Sequence, residues 1–123
     1  EAALPQGTLK AILWHQGESD SNDKLAETYE AKLHELIARM RKRFNAPQVP
    51  FIAGQMGQFP ERPWSDAKKK VDAAHRRLPQ KVKHTAFVDS DELTHKGDKV
   101  HFDANSYRIL GVRYGKAYLD LAK

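Results

Sequence analysis

The sequence predicts an α/β fold: a three-layer α/β/α sandwich around a parallel sheet, to which this chain gives about three strands and three main helices. Three observations lead there. Short apolar runs alternate with longer stretches of helical periodicity, in the order strand, helix, strand, helix, strand, helix. Each helical stretch is preceded by a polar loop containing Ser, Asn or Asp suited to capping. The 123 residues suit one domain, so residues 1–123 are read as a single unit.

Thr8–Trp14 is the first strand, with Leu9, Ala11, Ile12, Leu13 and Trp14 interrupted only by Lys10; so continuous an apolar run predicts burial on both faces. Asn22 or Asp23 opens the first helix, along which Leu25, Tyr29, Leu33, Leu36, Ile37, Met40 and Phe44 recur at helical spacing. Val49–Ala53 is the second strand. Ser65 or Asp66 caps a second helix with Val71, Ala74 and Leu78 on its apolar side, ended by Pro79. Thr85–Val88 is the third strand. Asn105 or Ser106 caps the last helix, whose inner face is Leu110, Tyr114, Ala117 and Leu121. Gly111 and Gly115 in that helix predict a close approach to the sheet. Right-handed crossovers place the first two helices on one face, and the third returns to the other because a parallel sheet is rarely left bare.

Composition narrows the function classes. Hydrophobic residues make up 40% and charged residues 30%, a balance unlike disordered or membrane-spanning chains. Cysteine is absent, which excludes disulfides, thiolate zinc sites and a cysteine nucleophile. The net charge of +5 gathers at Arg39, Arg41, Lys42 and Arg43 and again at Lys68, Lys69, Lys70, Arg76 and Arg77. No nucleic-acid module accompanies these groups, so they read as solvated helix faces and no nucleic-acid partner is expected. His34-Glu35 begins like a zinc helix, but position 38 is Ala38; no metal and no other cofactor is expected. An excised leader would leave no trace, and the compartment stays open.

Ligands of parallel sheets bind beyond the carboxyl ends of the strands, so the chemistry belongs in the loops after Trp14, Ala53 and Val88. The first holds His15-Gln16-Gly17-Glu18-Ser19-Asp20, the third Asp98-Lys99-Val100-His101-Phe102-Asp103. An Asp three residues before a His can hold Nδ1–H and leave Nε2 as a base, and the Gln16 amide can donate to a developing oxyanion. Glu18 and Asp20 read as loop-fixing carboxylates accepting backbone N–H bonds. Phe59 and Trp64, in the second loop, either stack on a sugar ring or cover the core.

Trp14-His15-Gln16-Gly17-Glu18-Ser19-Asp20, Asp98-Lys99-Val100-His101-Phe102 and the last helix with its Gly111 together resemble the SGNH hydrolases, nearest to the carbohydrate O-acetyl esterase branch (acetylxylan esterase and sialate O-acetylesterase). The resemblance spans nearly the whole chain and implies a flavodoxin-like sandwich and a metal-free serine-esterase mechanism on acetylated carbohydrate. It implies His101 as general base, Asp98 as its orienting acid, and Gln16, with Gly17 and Glu18 beside it, in the oxyanion loop. His15, Phe59 and Trp64 are possible substrate contacts. The family's Gly-x-Ser nucleophile block and its second, glycine-bearing block have no counterpart here. The serines are Ser19, Ser21, Ser65, Ser90 and Ser106, and only Ser19 sits in a context near a nucleophile elbow, without its second Gly.

The expectation is therefore a C-terminal portion of a hydrolase domain, incomplete alone. The missing serine-bearing segment, or a homo-oligomer partner, would pair with the edge of the first strand. The alternative is a non-catalytic module that binds carbohydrate or a partner chain.

Overall fold

A computed structural model describes all 123 residues. After a short 3₁₀ turn at Leu4–Gln6, the elements run β1 (Ile12–Trp14), α1 (Asp23–Arg43), β2 (Phe51–Gly54), α2 (Asp66–Lys81), β3 (Thr85–Val88) and α3 (Ala104–Leu121). The sheet is parallel with order β1-β2-β3. Ile12 pairs with Phe51, and Phe51 with Thr85. α1 and α2 cover one face, with Leu33, Ile37, Phe51, Val71 and Leu78 in that core. α3 covers the other, over Ile52, Val88, Leu110 and Tyr114. No helix is long and apolar enough to cross a membrane.

The strand–helix order and the two-faced layering are as the sequence predicts; several details differ. β1 is three residues long rather than seven, and it is an edge strand. Ile12 and Trp14 pack toward α1 and α2, but Leu13 is 58% exposed on the α3 face. An apolar run has no way of announcing that its second face lacks a cover. Pro79 lies inside α2 instead of ending it. Proline cannot donate to the carbonyl four residues back, but this is the last turn, and Val82 N–H still closes it on the Leu78 carbonyl.

The cap of α3 is Asp103, which accepts from Ser106 N–H at 2.7 Å, rather than Asn105 or Ser106. The caps of α1 and α2 are Asn22 and Ser65. Gly111 and Gly115 do not meet the sheet: a Cβ added at either would lie in open space. The close approach is made by Gly54, where an added Cβ would sit 2.0 Å from the Tyr114 hydroxyl, which donates to the Trp14 carbonyl at 2.6 Å.

The basic groups divide. Lys70 and Arg77 of α2 meet Glu27 and Glu30 of α1 across the helix pair, in keeping with solvated faces. Arg41 instead is buried and donates to the carbonyls of Val49 and His84, closing the amino ends of β2 and β3.

Candidate active site

The three loops at the carboxyl ends of the strands converge, and the third is the most tightly built. Asp103 N–H bonds to the Thr94 carbonyl, Thr94 N–H to Ser106 Oγ, and the Thr94 hydroxyl to the Asp103 carboxylate. This ties the loop's two ends to the start of α3. Within it, Asp98 Oδ1 accepts from the N–H of Val100 at 3.0 Å and of His101 at 2.8 Å, a turn that leaves Lys99 at φ 61°. Oδ2 lies 2.5 Å from His101 Nδ1.

The contact with the His101 ring, joined by those two backbone donors, holds the Asp98 carboxyl far below the usual carboxylate range. An ionised Asp98 can only accept, so Nδ1 carries the proton; in that tautomer the lone pair lies on Nε2, which no protein group engages.

His95, which the sequence did not bring forward, fastens this loop to the second one. Its Nδ1 accepts from Gly97 and Lys99 N–H, so Nε2 is the donor to Glu61 at 3.3 Å. Phe59, offered by the sequence as a substrate contact, is buried edge-on to His95 and Phe102, and so serves the core. Trp64 is half-buried; its Nε1 donates to the Gly57 carbonyl and Lys68 lies over its ring. It walls a cleft of about 220 Å³ with Glu18, Ser21, Arg62, Lys68 and Val100, the last adjacent to His101. Burial pushes the Lys68 amine down from its ordinary value.

The first loop divides by strand parity. Side chains alternate along β1, and the alternation carries on past Trp14. His15 turns to the α3 side: its ring packs 5.6 Å from Phe102, and its Nε2 contacts the Gln55 carbonyl at 3.3 Å. Gln16 turns to the α1 side. Its Oε1 accepts from the Tyr29 hydroxyl at 3.0 Å and its amide donates to Asp20. The structure therefore brings His15 against the third loop and does not bring Gln16 to the Asp98–His101 pair.

Gly17, at φ 140°, passes so close to α2 that a Cβ would lie 2.8 Å from Val71 Cγ1 and 3.0 Å from Met56 Sδ. Neither carboxylate of the loop takes a backbone N–H: Asp20 is held by Gln16, and Glu18 faces the cleft.

Beneath the loops lies polar structure with no motif in the sequence. Gln55, fully buried, donates to Asp72 and accepts from Gln58 and from Ser90 N–H. His75, also fully buried, lies 2.8 Å from the Tyr29 hydroxyl. Because that hydroxyl donates to Gln16, His75 is the donor through Nε2, and its Nδ1 has no partner. Burial pushes His75 down to about 4 and the Tyr29 hydroxyl up to about 12.

None of the five serines hydrogen-bonds to His101. Ser19 is exposed on the first loop, and Ser21 donates to the Gly17 carbonyl. Ser65 caps α2, Ser90 donates to the Met56 carbonyl, and Ser106 is taken by Thr94 and Asp103.

The model of the SASA family, described as a carbohydrate esterase, sialic acid-specific acetylesterase, matches residues 1–120. The chain belongs to the SASA family. Among other members, it is 32% identical over 114 residues to a probable carbohydrate esterase of Arabidopsis thaliana, covering 92% of this chain and 41% of that protein. An X-ray structure of an Arabidopsis thaliana protein superposes with a TM-score of 0.81 at 31% identity, over 97% of this chain and 48% of the other. This SASA chain thus spans less than half the length of the relatives it matches.

Proposed function

We propose that this chain carries the general-base portion of a serine esterase that removes O-acetyl groups from carbohydrate. The observation that carries the reading is the Asp98–His101 pair: a carboxylate held ionised by three donors, bonded to Nδ1, with Nε2 open at the carboxyl end of a parallel sheet. Membership of a carbohydrate esterase family supports the reaction class.

In this mechanism a serine hydroxyl attacks the acetyl carbonyl as Nε2 takes its proton. The tetrahedral intermediate collapses to an acetyl-serine, and the sugar oxygen leaves with the proton from Nε2. Water, deprotonated by the same nitrogen, then releases acetate. Asp98 holds the ring and stabilises the imidazolium. For Gln16 to serve the oxyanion its side chain must leave Asp20 and Tyr29 and turn from the α1 side toward the pair. The cleft beside Val100 receives the sugar, with Trp64 as its wall.

The nucleophile comes from a segment outside these 123 residues. All five serines here have other partners or lie away from His101, which favours that assignment over Ser19. The test is acetate release from O-acetylated sugars by a longer polypeptide carrying this sequence and a serine-bearing segment. His101→Ala lowers kcat by roughly 10²–10⁴-fold with an unchanged circular dichroism spectrum. Undiminished release by that variant contradicts the assignment.

A further inference from the structure

The loop that presents His101 is a short hairpin. His95 and Phe102 form an isolated antiparallel bridge, Lys96 N–H bonds to the His101 carbonyl at 3.0 Å, and Asp103 N–H to the Thr94 carbonyl at 3.0 Å. Its tip reverses through two residues at positive φ, Gly97 at 119° and Lys99 at 61°. A lysine is uncommon there, because its side chain crowds the backbone, so the surroundings must hold it in place. Asp98 lies between these two residues.

Two side chains take up the N–H groups of this tip. Asp98 Oδ1 accepts those of Val100 and His101, at 3.0 and 2.8 Å. His95 Nδ1 accepts those of Gly97, at 2.9 Å, and Lys99, at 3.3 Å, the two residues at positive φ. An imidazole nitrogen accepts only without a proton, so the His95 proton sits on Nε2, 3.3 Å from Glu61 Oε1. Its own backbone N–H and the His95 ring hold the Glu61 carboxyl below its ordinary value, which keeps it an acceptor. The His95 side chain is 19% exposed, and its ring lies edge-on to Phe59 with centroids 5.0 Å apart.

Two carboxylate–imidazole pairs thus stand in series with opposite tautomers. Glu61 draws the His95 proton to Nε2 and frees Nδ1 to hold the turn. Asp98, fixed in that turn, draws the His101 proton to Nδ1 and frees Nε2. We infer that His95 is a positioning residue for the base: by accepting the N–H groups on either side of Asp98, it fixes that carboxylate where it sets the tautomer of His101. His95 bonds to neither the Asp98 nor the His101 side chain and does not line the cleft, so it acts only through the turn. Its bond to Glu61 gives base and cleft a common support, since the next residue, Arg62, lines the cleft. The consequence for turnover rests on the esterase reading; the consequence for the His101 ring does not.

The test reads the His101 ring in the whole 123-residue chain, through the nitrogen-15 shifts of its two nitrogens, above the pH at which the same spectra show it titrating. In the unaltered chain and in His95→Asn, which keeps an acceptor near the Nδ1 position, the proton lies mainly on Nδ1. In His95→Gln, which still reaches Glu61 but has no acceptor at that position, it moves mainly to Nε2, with an unchanged circular dichroism spectrum. The Gly97 and Lys99 amides exchange at least about tenfold more slowly than in an unfolded chain, and lose that protection in His95→Gln alone. In the longer, serine-bearing polypeptide, His95→Gln lowers kcat for acetate release about tenfold or more with KM unchanged, and His95→Asn does not. A folded His95→Gln chain whose His101 proton stays on Nδ1 overturns the inference, as does an asparagine variant that behaves like the glutamine one. Should His95→Gln fail to fold, the unaltered chain decides: protected Gly97 and Lys99 amides support the inference, and unprotected ones overturn it. A longer polypeptide that releases no acetate even unaltered removes the esterase reading, and the ring measurement still decides the role of His95.

Discussion

Side-chain partners at single residues decide how this site responds to pH and to mutation. His75 takes a proton less readily folded than unfolded. Between its ordinary value near 6.5 and its buried value of about 4, the unfolded chain binds more protons, so stability falls as pH falls through that window and is complete above it. The shift corresponds to about 3 kcal/mol at its full extent. Urea unfolding at pH 7, 5.5 and 4 should show a stability gap between wild type and His75→Gln that narrows steadily toward pH 4; a constant gap would count against a buried neutral His75. Asp98 acts lower. Its depressed value makes its contribution complete above the usual carboxylate range and lost as pH falls below it.

Gln16 separates two roles. As an oxyanion donor, its replacement by Ala costs about 2.7–4 kcal/mol of transition-state stabilisation, mainly in kcat. As a loop fastener to Tyr29 and Asp20 alone, it shows up in KM or in stability instead. The Asp98–His101 bond was legible in the sequence because an Asp-x-x-His turn is local geometry. The orientation of Gln16 was not, because it depends on where β1 stops and which parity carries into the loop. The His75–Tyr29 and His95–Glu61 contacts join residues 46 and 34 positions apart, and no motif spans them.

Among the elements, helix boundaries were the more legible, since caps and heptad-scale periodicity are local; the N-caps Asn22 and Ser65 are those the sequence offered. Close approaches between elements were not. Gly111 and Gly115 drew attention by their spacing, yet the crowding lies at Gly17 and Gly54. Gly17→Ala places a Cβ against Val71 and Met56 at a backbone angle that L-residues rarely adopt, and Gly54→Ala drives one into the Tyr114 hydroxyl. Each should lower the unfolding free energy by roughly 1–3 kcal/mol or more by overpacking and strain. Gly111→Ala, in open space, should raise it slightly through helix propensity, by about 1 kcal/mol or less. Thermal melts of the three variants rank these sites; equal loss at all three would contradict the packing described.

For the molecule as a whole, the strand–helix alternation implied a parallel sheet, right-handed crossovers put the first two helices on one face, and the need to cover the other face sent the third helix there. What it could not give was the cover of each strand, a property of widths and neighbours. The bare face at Leu13 follows from α3 spanning two strands of three. The central chemical claim, that Asp98 and His101 form a base awaiting a serine from elsewhere, meets its most direct test in a fluorophosphonate probe followed by intact-mass and peptide analysis of the 123-residue chain. The account predicts no covalent adduct on Ser19, Ser21, Ser65, Ser90 or Ser106. An adduct on Ser19 that disappears in His101→Ala would contradict it and place the nucleophile in the first loop.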